Sequence, residues 1–287
     1  MSGTTIDLDT LIEPHAIASD IADRWTTWNN SRQQKIEEWK ELRNYLYATD
    51  TRTTSNNKLP WTNSTTTPKL TQIADNLHAN YFSALFPQKR WFKFEANDQE
   101  SDIKSKRDVI QAYMENKVRQ SDFENTTGRL INDYIQYGNC FATVDFVRDY
   151  TEYEDGERAV NYVGPKLVRI SPFDICFNPL APSFADSPKI IRSVLTKGEI
   201  KRKIEETVDN EYMTGIFNRM MSNRVSYSGS NIDVHKAHGF LADGFSDIKQ
   251  YYESDYVEIL TFYGDIYDGD TGDFHKNRVV TVVDRAY

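Results

Sequence analysis

Cysteine is scarce: Cys140 and Cys176 are the only two in 287 residues, too few for a disulfide framework or a four-cysteine zinc site. No uninterrupted apolar run approaches the ~20 residues that a bilayer-spanning helix needs. Residues Met1 to Asp7 lack the basic start and apolar core of a secretory signal. Positive charge is also in deficit. Lys and Arg number 34 against 43 Asp and Glu, a formal charge of −9, which is ill suited to gripping nucleic acid through its phosphates. No repeat recurs at solenoid spacing. What is plentiful is apolar and aromatic surface. Hydrophobic residues make up 39%, and 17 Tyr, 15 Phe and 5 Trp supply planar side chains for a core or an interface. Such a composition folds. The expectation is a soluble, intracellularly made chain of one large domain or two modest ones, at roughly 150 residues per domain.

Helical periodicity dominates the first half. Between Asp20 and Tyr47, residues Trp25, Trp28, Arg32, Ile36, Trp39, Leu42 and Leu46 recur at three- and four-residue steps and predict one amphipathic helix. After a Thr- and Asn-rich break, Leu59-Pro60-Trp61 begins an extended segment. Thr67 and Pro68 then suit the cap and first position of a helix carrying Leu70, Ile73, Leu77 and Tyr81 on one face, with Pro87 as its stop. Further helices are predicted over Ser101–Gln120 and from about Phe123 to Tyr137, with Gly138 as the cap of the latter.

From Cys140 the period shortens. Strands are expected over 140–147, 159–170, 175–177, 189–195, 256–267 and 278–283, the first two joined by the turn Glu154-Asp155-Gly156-Glu157. Thr196-Lys197-Gly198-Glu199 reads as a capping box opening a helix through about Val208. A further helix should hold Met213, Phe217 and Met220. Residues 222–254 are polar without sustained period and read as a long loop or arm. The fold class is therefore α+β, with helices segregated toward the first half. The linear segments are 1–57, 58–221, 222–254 and 255–287: an N-terminal tail and helix, an α+β core, a polar arm and a β-hairpin.

A search for catalytic or metal chemistry returns structural readings. His235 and His238 stand three apart but in a polar segment with no third ligand nearby. Asp268, Asp270 and Asp273 imitate part of a calcium loop, yet Gly272 and Asp273 occupy the fifth and sixth places in the wrong order. A hairpin turn accounts for them better. Each cysteine reads as a small buried hydrophobe, since no histidine stands at a companion spacing. There is no Gly-x-Ser-x-Gly elbow, no Gly-x-Gly-x-x-Gly and no Walker A pattern. No catalytic, metal or cofactor residue is assigned. Trp25, Trp28 and Trp39 read first as core, with subunit contact as the alternative. The aromatic and basic residues of 86–94 could form a stacking groove for nucleic acid, but the alternation of Trp91 and Lys93 with Phe92 and Phe94 favours a strand. Lys201, Arg202 and Lys203 read as a solvated helix face.

The order of segments says more than any one motif. Leu59-Pro60-Trp61-Thr62-Asn63 leads into Thr67-Pro68-Lys69-Leu70. Leu85-Phe86-Pro87 and Arg90-Trp91-Phe92 follow, then Tyr134-Ile135-Gln136-Tyr137-Gly138-Asn139. Ile170-Ser171-Pro172-Phe173-Asp174-Ile175, Asn178-Pro179-Leu180-Ala181 and Leu195-Thr196-Lys197-Gly198-Glu199-Ile200 complete the series. This succession, over roughly residues 35 to 205, resembles the N-terminal half of bacteriophage portal proteins, the head-to-tail connectors, particularly those of short-tailed phages. Asn178 departs from the pattern, which often has an acidic residue there. Read physically, Pro60 and Pro87 fix chain entry and exit around a rigid helix, Gly138 permits a left-handed helix end, and Pro172 and Pro179 define a stiff loop; with Asn178, the residues Trp61, Pro68, Trp91, Tyr137 and Asp174 are structural positions that the resemblance implies.

What the resemblance implies is a subunit of a closed ring, usually of twelve copies, at one vertex of a capsid assembled in the host cytoplasm. Double-stranded DNA would pass through the ring without sequence-specific contact. The ring would meet the major capsid protein, dock terminase, and later bind head–tail adaptor and tail proteins, with no membrane involved. Residues 58–221 would form the outer wing. Because portal chains usually continue into a channel helix and clip, the 287 residues are expected to be the N-terminal part of a larger functional unit. The alternative is another head–tail adaptor or structural interaction protein without enzymatic activity.

Overall fold

The computed structural model describes residues 14–46, 69–95, 101–152, 158–178, 180–205, 210–227, 255–267 and 272–286. Among these, seven helices and two antiparallel sheets make an α+β fold. The helices are α1 (Pro14–Ser31), α2 (Gln33–Leu46), α3 (Lys69–Leu85), α4 (Ser101–Gln120), α5 (Phe123–Tyr137), α6 (Lys197–Glu205) and α7 (Asn210–Tyr227). The strands are β1 (Phe141–Glu152), β2 (Arg158–Ile170), β3 (Ile175–Phe177), β4 (Lys189–Thr196), β5 (Tyr256–Tyr267) and β6 (Phe274–Val283). No described helix is long and apolar enough to cross a membrane. The chain divides into two compact units, one of residues 1–34 with 173–287 and one of residues 35–172. The first is discontinuous, which a linear segmentation cannot express.

In the discontinuous unit, β3-β4-β5-β6 form one sheet in that order. Its registers pair Cys176 with Ile190, Ile190 with Phe262, Phe262 with Val280 and Leu260 with Val282. Directly paired residues share a face, so these side chains build one apolar surface. Helix α1 covers it with Ala18, Ile21 and Trp25, the last with no exposed surface. Gly264 sits at a register shift in β5, where a Cβ would lie 2.8 Å from Cβ of Pro188. Only glycine fits there without displacement.

Beyond β6 the chain turns through Asp284 and Arg285, at φ of 51° and 58°. Left-handed backbone is unfavourable for residues with a Cβ. Two buried ion pairs hold it. Arg224 of α7 donates from Nε and Nη2 to the two oxygens of Asp284 at 2.6 and 2.7 Å. Arg285 donates in the same forked manner to Glu258 of β5 at 2.7 and 3.0 Å. Elsewhere in the unit the capping box forms as the sequence specifies. The Glu199 carboxylate accepts from the Thr196 backbone N–H at 2.8 Å, and the Thr196 hydroxyl accepts from the Glu199 N–H at 3.2 Å. The Thr196 backbone hydrogen bond, aided by its hydroxyl, lowers the Glu199 pKa below the usual glutamate value. That contribution is present at neutral pH and is lost as pH falls through the lowered value.

The continuous unit is built around α5. Helices α3 and α4 and strand β2 all pack on it. His78 donates from Nε2 to the Gly128 carbonyl at 3.0 Å, and Tyr137 meets Trp39 edge to face at 5.4 Å between ring centres. Arg169 of β2 grips the buried Asp133 of α5, with Nη2 to Oδ1 at 2.6 Å. Gly138 ends α5 at φ 72° and donates its N–H to the Tyr134 carbonyl at 2.9 Å. Strands β1 and β2 form a separate two-stranded ribbon.

Several expectations need correction. The single helix across 20–47 is two, broken at Arg32, where a backbone bond reaches back only three residues to Asn29. The segment 91–95 is not a strand. It runs extended beside α4, and the Gln111 side chain supplies the bonds a neighbouring strand would have made: Oε1 accepts from Phe94 N–H and Nε2 donates to Phe92 carbonyl. Helix α7 continues to Tyr227, past the expected loop start at 222. Cys140 is exposed, whereas Cys176 is buried. Leu70, Ile73, Leu77 and Tyr81 do share a helical face, but it is exposed. Thr71, Ala74, His78 and Phe82 form the half-buried face instead.

Two stability outcomes follow. Asp284→Asn should destabilise the protein by about 3–5 kcal/mol, since it strands the Arg224 charge in the interior, read as a lower urea midpoint. Gly128→Ala should be neutral or stabilise by about 0.5–1 kcal/mol in the same assay. Its added Cβ meets only ordinary contacts at 3.6 Å from His78 and Phe82.

Candidate functional site

The most densely bonded polar group among the described residues lies where α1 ends and β3 begins. Arg32 donates from Nη1 to the Ile175 carbonyl at 2.6 Å and from Nη2 to the Phe173 carbonyl at 2.7 Å. Nε and Nη2 also reach Oδ1 of Asn29, at 3.3 and 3.2 Å. Asn29 is itself buried and receives the Cys176 thiol at 3.8 Å. Beside it, Arg192 donates to Oδ1 of Asp174 from Nε at 3.0 Å and Nη2 at 2.8 Å, with its guanidinium 5.5 Å from the Trp25 ring centre. The backbone N–H of Arg192 donates to the Asp174 carbonyl at 2.8 Å. Each of these groups holds backbone or another side chain in place. None presents a nucleophile paired with a base, and the arrangement is that of a brace.

The sequence-derived residues distribute as follows. Asp174 belongs to the brace and Pro172 is fully buried. Asn178 accepts the Leu180 N–H on its side-chain oxygen at 3.0 Å, a turn that a short polar side chain makes with either an amide or a carboxylate. Pro87 follows the end of α3 and is exposed. Trp91 stacks on Phe123 at 5.7 Å with planes 10° apart, and meets Phe86 edge-on at 5.1 Å. This ring packing occupies the surfaces that base stacking would have used. Tyr137 and Gly138 close α5 as described above. Pro60, Trp61, Pro68 and Pro179 lie outside the described residues, as do His235, His238, Asp268 and Asp270. Among the described residues no three His, Cys, Asp or Glu side chains gather as a metal site would require. The three tryptophans do not share a face. Trp25 is buried in the discontinuous unit with Trp28 partly buried beside it, and Trp39 is buried in the other. A ring buried within its own unit has little surface left to offer a second copy.

Sequence reasoning missed Arg192, Gln111 and the two buried pairs of Arg224 and Arg285. Arg32 did leave a signal, because it interrupts an otherwise apolar stripe between Trp28 and Ile36. Arg32→Ala should cost about 1–3 kcal/mol by leaving the carbonyls of Phe173 and Ile175 without these donors. Arg32→Lys should recover only part of this, since an ammonium cannot fork between them. Thermal melts of both variants measure the difference.

None of the curated proteins searched matches the chain. A family model described as bacteriophage head to tail connecting protein matches residues 18–158, spanning most of α1 through β1 and the linker beyond it. That family is one of structural phage proteins. Over residues 18–158 the chain is similar to bacteriophage head to tail connecting proteins.

Proposed function

We propose that the protein is a portal subunit that assembles into a closed ring, of twelve copies in the expected form, at one vertex of the capsid. The family match over residues 18–158 carries this reading. Double-stranded DNA is packaged and ejected through such a ring, terminase docks on it during packaging, and the major capsid protein, head–tail adaptor and tail proteins bind around it. Its place is the virion, at the head–tail junction, after assembly in the host cytoplasm. Residues 58–221 serve as the outer wing. The charge of −9 favours a conduit, because a wall that bound phosphates tightly would retard sliding.

No catalytic role is included in this reading. Shape and rigidity are what the braced residues provide. Packaging energy would come from a separate motor.

Native mass measurement and electron microscopy down the ring axis test the assignment. A ring near twelve copies is expected. A smaller ring or another symmetry would indicate a different head–tail adaptor, and a monomer at every concentration would overturn the ring altogether. The same sample should show no ATPase or nuclease turnover. Metal-dependent activity abolished by one point substitution in this chain would refute the purely structural role.

A further inference from the structure

Two apolar faces in the continuous unit are exposed among the described residues, the first touching α5 through Tyr81, whose ring meets Tyr134 edge to face at 6.1 Å. The first is the stripe on α3: Leu70, Ile73, Leu77, Tyr81 and Leu85 are each between 40% and 55% exposed. The second is the outer face of the β1–β2 ribbon. Its register sets Val144 opposite Leu167, Phe146 opposite Pro165 and Tyr150 opposite Val160, so these residues lie on one side. Val144, Phe146 and Val160 are 64%, 65% and 61% exposed. A two-stranded ribbon alone is marginal in water and gains independent stability by packing against a helix or further strands. Contiguous apolar patches of this size on a soluble surface mark interaction sites.

The two faces fit each other in length and chemistry. Leu70 to Leu85 spans about 22 Å along a helix axis, and Val144 to Tyr150 about 20 Å along a strand. The stripe carries no charge, and the ribbon face carries Arg148, whose guanidinium lies 5.9 Å from the Phe146 ring centre. At roughly 100 Å² for each half-exposed side chain, the nine or so together offer about 900 Å², close to the ~1,000 Å² of a specific contact. Within the molecule α3 and the ribbon each pack on α5 and not extensively on each other. The other unit already shows the arrangement that both faces lack, with α1 laid across an apolar sheet face.

We propose that the α3 stripe of one copy lies across the outer face of the β1–β2 ribbon of the next. The contact is heterologous: each copy offers one face and receives on the other, so repetition closes a ring when the rotation permits. The assignment rests on the ring reading above and names the surface that builds it.

Cross-linking on the full chain tests it, with Cys140→Ser in every sample to remove the exposed native thiol. Leu77→Cys and Phe146→Cys are made on separate copies and oxidised singly and mixed. Disulfide-linked dimers should form in the mixture at least tenfold above either variant alone. In parallel, Leu77→Glu and Phe146→Glu should each weaken self-association about tenfold or more, with the melting temperature of the dissociated monomer, measured at high dilution, unchanged because both side chains are exposed. Equal cross-linking by one variant alone would mean a two-fold contact and overturn the proposal. An unlinked mixture from a wild type that still forms a ring would overturn the surface while leaving the ring intact. A wild type that stays monomeric would remove both.

Discussion

One guanidinium sets the geometry of the discontinuous unit. Arg32 takes the carbonyls of Phe173 and Ile175 at a sequence separation of 141 and 143 residues, and holds Asn29 within its own turn. The same group ties the end of α1 to the start of β3. Arg192 stacks over Trp25 from the sheet side while Asp174 neutralises it. If the Arg32 bonds were absent, two strand-flanking carbonyls would lose charge-assisted donors in a partly buried place. The apolar cover of α1 would then rest on burial alone, which is strong but not directional.

Most of the fold was legible from periodicity and punctuation. The bounds of α4, β3 and β5 coincide with the sequence expectation, as do the capping box at Thr196 and the Gly138 cap. These features are local: a period, a capping pair, a left-handed residue. The misreadings had a common cause. Periodicity shows which residues share a face, but not whether that face meets anything. Leu70, Ile73, Leu77 and Tyr81 follow helical spacing as strictly as a core stripe, and yet α3 packs through Thr71, Ala74, His78 and Phe82. Residues 91–95 carry strand-like alternation but use a glutamine side chain in place of a strand. The break at Arg32 was hidden because its cause lies in residues far along the chain.

The candidate site was legible only in part. Asp174 and Pro172 were marked as structural positions; Asp174 stands in the brace and Pro172 is buried in the continuous unit. The partner of Asp174, Arg192, gave no sign, since a lone arginine in a strand normally points to water. The buried forks at Glu258 and Asp284 were equally silent. Each depends on a partner brought up by the sheet, and neither has a spacing rule. Taken together, these devices tie each unit together by directional bonds at a few points.

The discontinuity of the first unit bears on the order in which the chain can fold. Synthesis delivers α1 long before the sheet that covers Trp25 exists, while every element from α3 to β2 needs only neighbours within residues 35–172. The continuous unit can therefore mature on the ribosome as it emerges. Until β6 arrives, α1 carries its tryptophan side bare. Loop closure over so long an interval is slow, and during that wait the exposed helix face is the part of the nascent chain most in need of a chaperone.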